Sequence, residues 1–215
     1  MNERDSLAAA IIADCRRMNT LGINQGKSGN ISARWHDGFL ITPSGMEYDS
    51  LTPDDIVWCG FDGTITGRWQ PSSEWRIHFD ILQARPEIGA VVHTHGAYCT
   101  TLACMGLGIP AFHYMVAMAG GSDIRCAPYA TFATQELSDN ALVALEGRRA
   151  CLLANHGMLA LGKDLKAAMA LTIEVEALAG MYWRVLQIGK PIILPDEEMA
   201  VVLGKFAGYG QAKTR

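Results

Sequence analysis

Apolar residues recur at helical spacing near the start of the chain, at Leu7, Ile11, Ile12, Cys15 and Met18, and Gly22 is placed to end the helix they predict. The pattern then shortens. "NISARW" and "FLIT" read as two strands joined through "HDG", with Asp37-Gly38 as the turn, and Asp62-Gly63 predicts a second hairpin between "IVWCGF" and "ITGRW". After Pro71, Trp75, His78, Ile81 and Leu82 return to helical spacing until Pro86 stops them. "GAVVHTH" is an apolar run of strand length and reads as a buried strand. Helical composition follows at 97–105, near 134–146 and most strongly at 165–188, with "ACLLAN" as a strand between. Helices mixed with antiparallel hairpins predict an α/β layered fold, not a doubly wound parallel sheet.

Length and composition narrow this further. A chain of 215 residues suits a single domain. Hydrophobic residues make up 49% and charged residues 19%, ordinary globular usage that argues against disorder. The formal charge of -4, with no Lys/Arg stripe, excludes a nucleic-acid surface. The first twenty residues carry acids early and too short an apolar run for a signal peptide, so a cytoplasmic protein is expected. Six scattered cysteines without a Cys-x-x-Cys pair are expected to be reduced and mostly buried. Residues 88–122 contain no Asp, Glu, Lys or Arg, yet glycines, Pro110 and three histidines interrupt them. They lack the run of about 20 apolar residues that a spanning helix needs, and a core or subunit interface is expected instead.

The loop "NQGKSGNIS" carries Gly-Lys-Ser but is no nucleotide P-loop. Three residues, not four, separate Gly22 from Gly26, and the order is helix then strand. Its glycines and short polar side chains suit an oxyanion, or simply a helix stop. "ITPSG" ends a strand with Ser44 and Gly45, and "PSSEW" puts Ser72 and Ser73 at a helix start, where unpaired N–H groups favour an anion. Convergence of the three segments would seat one phosphate.

His93 and His95 stand two apart on the expected strand, so both rings point to one face with backbones about 6–7 Å apart. His156 in "LLANHGM" follows another apolar strand, and Glu74 adjoins the phosphate seat. Three imidazoles and one carboxylate suit zinc with a displaceable fourth position, although a His-x-His pair can also be plain polar residues at a strand end.

In order along the chain, "GKSGNIS", "ITPSG", "PSSEWRIHF", "VVHTHG", "FHYMVAMAGG", "CAPYATF" and "LLANHG" resemble the zinc-dependent class II aldolase family, which also includes sugar-phosphate epimerases and adducin-like domains. The likeness spans nearly the whole chain. It implies a central, mainly antiparallel sheet flanked by helices, a homotetramer with active sites near subunit boundaries, one Zn2+ per subunit and a small phosphorylated sugar as substrate. It implies His93, His95, His156 and Glu74 as metal ligands, with Glu74 also the acid/base. Gly29, Asn30, Ser44, Gly45, Ser72 and Ser73 match the phosphate seat, Tyr114 a tyrosine serving a neighbouring subunit's site, and Tyr209 one in a flexible C-terminal tail. The implied reaction is reversible cleavage of a ketose 1-phosphate, L-fuculose 1-phosphate in the first instance, to dihydroxyacetone phosphate and an aldehyde such as L-lactaldehyde. Lys27 departs from the smaller polar residue expected there, and "HTHGAYC" from the usual wording. A zinc-dependent L-ribulose-5-phosphate 4-epimerase or related phosphosugar lyase, and a non-catalytic adducin-like interaction domain, remain alternatives.

Overall fold

The helix expected from the first apolar stripe is α1 (Glu3–Thr20), which buries Ala8, Ile11, Ile12, Cys15 and Met18. Asn2 caps it by accepting a hydrogen bond from the Asp5 backbone at 2.8 Å. The computed structural model describes residues 2–207. The two expected hairpins form as β1 (Asn30–Trp35) with β2 (Gly38–Ile41) and β3 (Val57–Gly60) with β4 (Ile65–Thr66), each antiparallel. Helix α2 (Trp75–Ala84) precedes β5 (Ala90–Thr94), and α3 (Ala97–Cys104) follows it. The remaining elements are β6 (Arg125–Ala127), α4 (Gln135–Ala144), β7 (Ala150–Leu153), β8 (Gly157–Gly162), α5 (Leu165–Ile188) and α6 (Asp196–Ala207).

All eight strands belong to one sheet in the order β4-β3-β2-β1-β5-β8-β7-β6. Every pairing is antiparallel except β6 with β7. This is the mainly antiparallel α/β arrangement that the hairpins and the family resemblance imply.

Helices cover both faces, so the central strands β5 and β8 are buried at every position. Val91 of β5 packs with Ile77 and Leu82 of α2 and Leu137 of α4 on one face. Its neighbours Ala90 and Val92 pack with Ile11 and Ile12 of α1 and Met169 of α5 on the other. Toward the other end of the sheet, α3, α5 and α6 close a third cluster around Leu102, Val175 and Met199. Full burial of a valine contributes roughly 1.5–3 kcal/mol relative to exposure, which makes β5 a stiff base for the histidines at its end.

The charge-free stretch thus supplies core: β5, α3 and buried side chains such as Val116 and Ile109. All six cysteines are free, four of them buried, with Cys104 exposed and Cys126 between the extremes. Among the described residues no helix is long and apolar enough to cross a membrane.

Candidate functional site

Glu74 sits at the N-cap position of α2 but makes no capping bond, so its carboxylate is available to the sheet. Two backbone contacts fix the approach to it. Ser72 N donates to Thr42 O at 2.9 Å and Ser44 N to Gln70 O at 3.1 Å, zipping "ITPSG" against "PSSEW". The serine segments that sequence reading placed around one anion are therefore neighbours in space.

His93 lies on β5 on the same face as Val91, toward α2, and His95 follows two residues later at the strand end. His156 occupies the turn between β7 and β8, after Asn155, whose φ is +55°. Gly157 lets that turn approach β5: a Cβ there would collide with the Thr94 carbonyl and come within 2.8 Å of His95 Cδ2. With only hydrogen at that place, one ligand-type atom from each of Glu74, His93, His95 and His156 lies within 4.8 Å of the others.

The hydrogen positions can be argued from the partners. Met158 O can only accept, so at 2.9 Å it requires the hydrogen on His93 Nδ1 and leaves the Nε2 lone pair facing the cluster. That Nε2 lies 3.0 Å from Glu74 Oε2 and 2.9 Å from His95 Nε2. Glu74 Oε1 lies 3.1 Å from His156 Nε2 but has no well-aligned hydrogen-bond donor. Lone pairs at this spacing repel unless a cation stands among them. Without a metal, a proton answers that need. Burial disfavours charge on His93, but the Glu74 carboxylate outweighs it and raises the His93 pKa. Burial would likewise raise the Glu74 pKa, but the adjacent His93 and His156 hold it well below the usual carboxylate range. His95 falls to about 4 through burial and the charges of His93 and His156. A divalent ion fits the same donor set of three imidazole nitrogens and one carboxylate.

Two pockets open on this cluster, and both are lined by Ser28, His95 and His156. One, of about 430 Å³, also carries Lys27, Ser44, Gly45, Ser73 and Glu74. The other, of about 700 Å³, extends over Ala97, Thr100, Thr101, Cys104 and Met105 of α3 and its C-terminal end. Ser44, Gly45 and Ser73 thus face the smaller pocket, whereas Gly29, Asn30 and Ser72 do not line it. Ser72 is buried, and its Oγ accepts from Glu74 N at 3.3 Å. Gly29 is a point of close approach, where a Cβ would come within 2.7 Å of both His93 O and Asn24 Oδ1. Asn30 directs its side chain to Glu74 and His78. Tyr114 is half exposed and lines a separate pocket with Phe112, Leu194 and Phe206. Tyr209 lies outside the described residues.

Several side chains at the site escape sequence reading. Asn24 is buried, and its Oδ1 accepts from Ser28 Oγ at 3.3 Å and His95 N at 3.4 Å, tying the glycine-rich loop to the end of β5. Glu176 of α5 accepts from Tyr98 N at 2.8 Å and Cys99 N at 3.0 Å, fixing the start of α3 just beyond His95. Tyr129, Phe132 and Asn155 complete the smaller pocket. An Asn in a polar loop signals Asn24 only weakly, and nothing local signals the long-range partner of Glu176. Lys27 reaches that pocket's rim, with its amine 3.6 Å from Glu47 in an exposed pair.

Comparison with known proteins agrees with this geometry. The family model described as Class II Aldolase and Adducin N-terminal domain matches residues 9–183. A 5-methylthioribulose-1-phosphate/5-deoxyribulose-1-phosphate aldolase of Rhodospirillum rubrum is 58% identical, over 96% of this chain and 94% of its own length. An L-fuculose phosphate aldolase of Escherichia coli K12 is 49% identical, over 97% of each chain. The solved structure of an L-fuculose 1-phosphate aldolase superposes with a TM-score of 0.92 at 39% identity, covering 96% of this chain and all of that one. With fold, ordered motifs and relatives in agreement over nearly its whole length, the chain belongs to the class II aldolase and adducin N-terminal domain family, and is an aldolase within it.

Proposed function

We propose that the chain is a zinc-dependent aldolase that reversibly cleaves a ketose 1-phosphate to dihydroxyacetone phosphate and an aldehyde. The observation that carries this reading is the convergence of His93, His95, His156 and Glu74 beside a pocket edged by Ser44, Gly45 and Ser73. The names of the relatives support two substrate types, L-fuculose 1-phosphate and 5-deoxy- or 5-methylthioribulose 1-phosphate. The higher identity of the Rhodospirillum relative favours the second type over the first.

His93, His95, His156 and Glu74 would hold the zinc, which supplies Lewis-acid charge to substrate oxygens on which negative charge develops. The rest falls to the chain itself. Ser44, Ser73 and the Gly45 backbone bind the phosphate and fix the distance from C1 to the histidine cluster, so binding energy remote from the reacting bond is used for orientation. Ser28 and Lys27 border the same anion. Glu74 is placed between phosphate seat and histidines, and returns a proton to C3 once the C3–C4 bond has broken. Loss of the C4 hydroxyl proton lets C4 become the aldehyde carbon while the C3–C4 electron pair stays on C3, and that proton balances the one C3 gains. Tyr114, which lines a separate pocket in its own chain, would assist that step from a neighbouring copy in a homotetramer, with Tyr209 as a second candidate for the role.

The reading is tested by supplying purified protein with L-fuculose 1-phosphate and, separately, 5-methylthioribulose 1-phosphate and measuring dihydroxyacetone phosphate. Release from at least one, lost on chelation and restored by zinc, is expected. No release from either ester by zinc-loaded protein would defeat the proposal, and epimerised ketose without cleavage would point to the epimerase branch.

A further inference from the structure

Behind Glu74 runs a chain of buried polar groups. Asn30 Nδ2 donates to Glu74 Oε2 at 3.0 Å. Asn30 Oδ1 lies 2.5 Å from His78 Nε2, and His78 Nδ1 lies 2.7 Å from Ser32 Oγ. The exposures are 3% for Asn30 and 0% for both His78 and Ser32. Two periodicities build this chain. Asn30 and Ser32 are two apart on β1, and Glu74 and His78 four apart on α2, so each pair presents one face to the other.

The carboxylate determines every donor direction along the chain. An ionised Glu74 only accepts, so the Asn30 amide must turn its NH2 toward it and its oxygen toward His78. That oxygen only accepts, so His78 carries its hydrogen on Nε2. The His78 Nδ1 lone pair then receives the Ser32 hydroxyl. With Asn30, His78 and Ser32 paired and buried, flipping the Asn30 amide would set two acceptors, its Oδ1 and the Glu74 carboxylate, against each other, at about 1–3 kcal/mol for each left unpaired.

The geometry points to Asn30, His78 and Ser32 as positioning residues that lock the Glu74 carboxylate in the orientation from which it meets the histidine cluster. This rests on the reading of Glu74 as metal ligand and proton carrier. The chain acts through one residue, so its effects must vanish when that residue no longer ligates.

The test is zinc affinity, measured by competition with a chromogenic chelator, in a double-mutant cycle. His78→Leu should weaken zinc binding about 10- to 100-fold in the Glu74 protein, in the range found for groups that orient metal ligands. In the Glu74→Gln background it should change affinity by less than about threefold. His78→Gln, which keeps an N–H donor, should recover most of the loss, and a thermal melt of each variant confirms folding. Ser32→Ala should leave competition by inorganic phosphate within about twofold while lowering kcat. Equal losses from His78→Leu in both backgrounds would make His78 a packing residue and overturn the proposal, as would undiminished affinity in the Glu74 protein. Wild-type protein that takes up no zinc would instead remove the functional reading beneath it, and the two failures are thereby distinguished.

Discussion

Asn30 and His93 stand directly opposite one another across β1 and β5, and both side chains end on the same atom, Glu74 Oε2, each at 3.0 Å. The carboxylate that belongs to a helix start is therefore held by the sheet. Its chemistry depends on strand register as much as on the helix, and this dependence can be tested.

Glu74→Gln keeps the size and removes both the charge and the exchangeable proton. Turnover should fall by about 10²–10⁴-fold, the usual contribution of a positioned acid/base, while affinity for the phosphate ester is largely kept. Steady-state kinetics with direct ester binding checks this, and wild-type turnover would exclude Glu74 from the reaction.

Ser73→Ala removes one hydroxyl from the smaller pocket. A hydrogen bond to a charged group contributes about 1.5–3 kcal/mol, so phosphorylated substrates and inorganic phosphate should bind roughly 10- to 100-fold more weakly. An unphosphorylated ketose should be little affected, and an equal loss for both would place the anion elsewhere.

Metal removal should lower stability as well as activity, because an ion held only by the folded chain stabilises it by mass action. At 100 times its dissociation constant a ligand contributes about 2.7 kcal/mol, and for a chain of this size that is roughly 5–11 °C in midpoint. Calorimetry of zinc-loaded and verified metal-free protein should show the difference; identical midpoints would deny the cluster a structural ion.

Gly157→Ala adds a single methyl where β8 meets the end of β5. The clash with Thr94 O and His95 should push the strand ends apart and weaken zinc binding, while phosphate binding at Ser73 changes less. Unchanged zinc affinity would show that the turn yields without moving the ligands.

Asp55 offers a pH-dependent stability test away from the site. Its carboxylate accepts from Thr52 Oγ1 at 2.7 Å, Thr52 N at 2.9 Å and Trp69 Nε1 at 2.7 Å, and these bonds lower its pKa below 3.8. A lowered folded-state value means that the unfolded chain binds the proton more readily, so this stabilisation is present above the unfolded value and lost as pH falls through the folded one. Asp55→Asn should therefore destabilise most near neutrality, and the gap from wild type should narrow below pH 3.8. A gap that is constant with pH would contradict it.

Sequence reading pointed to the four residues that converge because their signal is local: His93 and His95 by strand spacing, His156 and Glu74 by residue type at element ends. It also reached both hairpins and the long helix α5, where periodicity or turn chemistry is strong. It did not give β6, three residues long and paired in parallel with a strand distant in sequence, nor α6 after Pro195, with its acidic first turn. Ser72 illustrates a different limit. Its type and place suggest an anion contact, but nothing in the sequence shows that its Oγ also accepts from Glu74 N, at 3.3 Å. His78 was legible only as part of a helix face, because its role depends on the strand that α2 happens to cover.

Strand β5 is hydrogen-bonded along both edges, to β1 and to β8, and covered on both faces. Loosening it means disrupting the middle of the sheet. Amide protons of Val91 to His93 should therefore exchange with deuterium only as fast as whole molecules open, and variation that retunes substrate choice has to fall on the loops at the mouth, since the floor cannot shift without dissolving the fold.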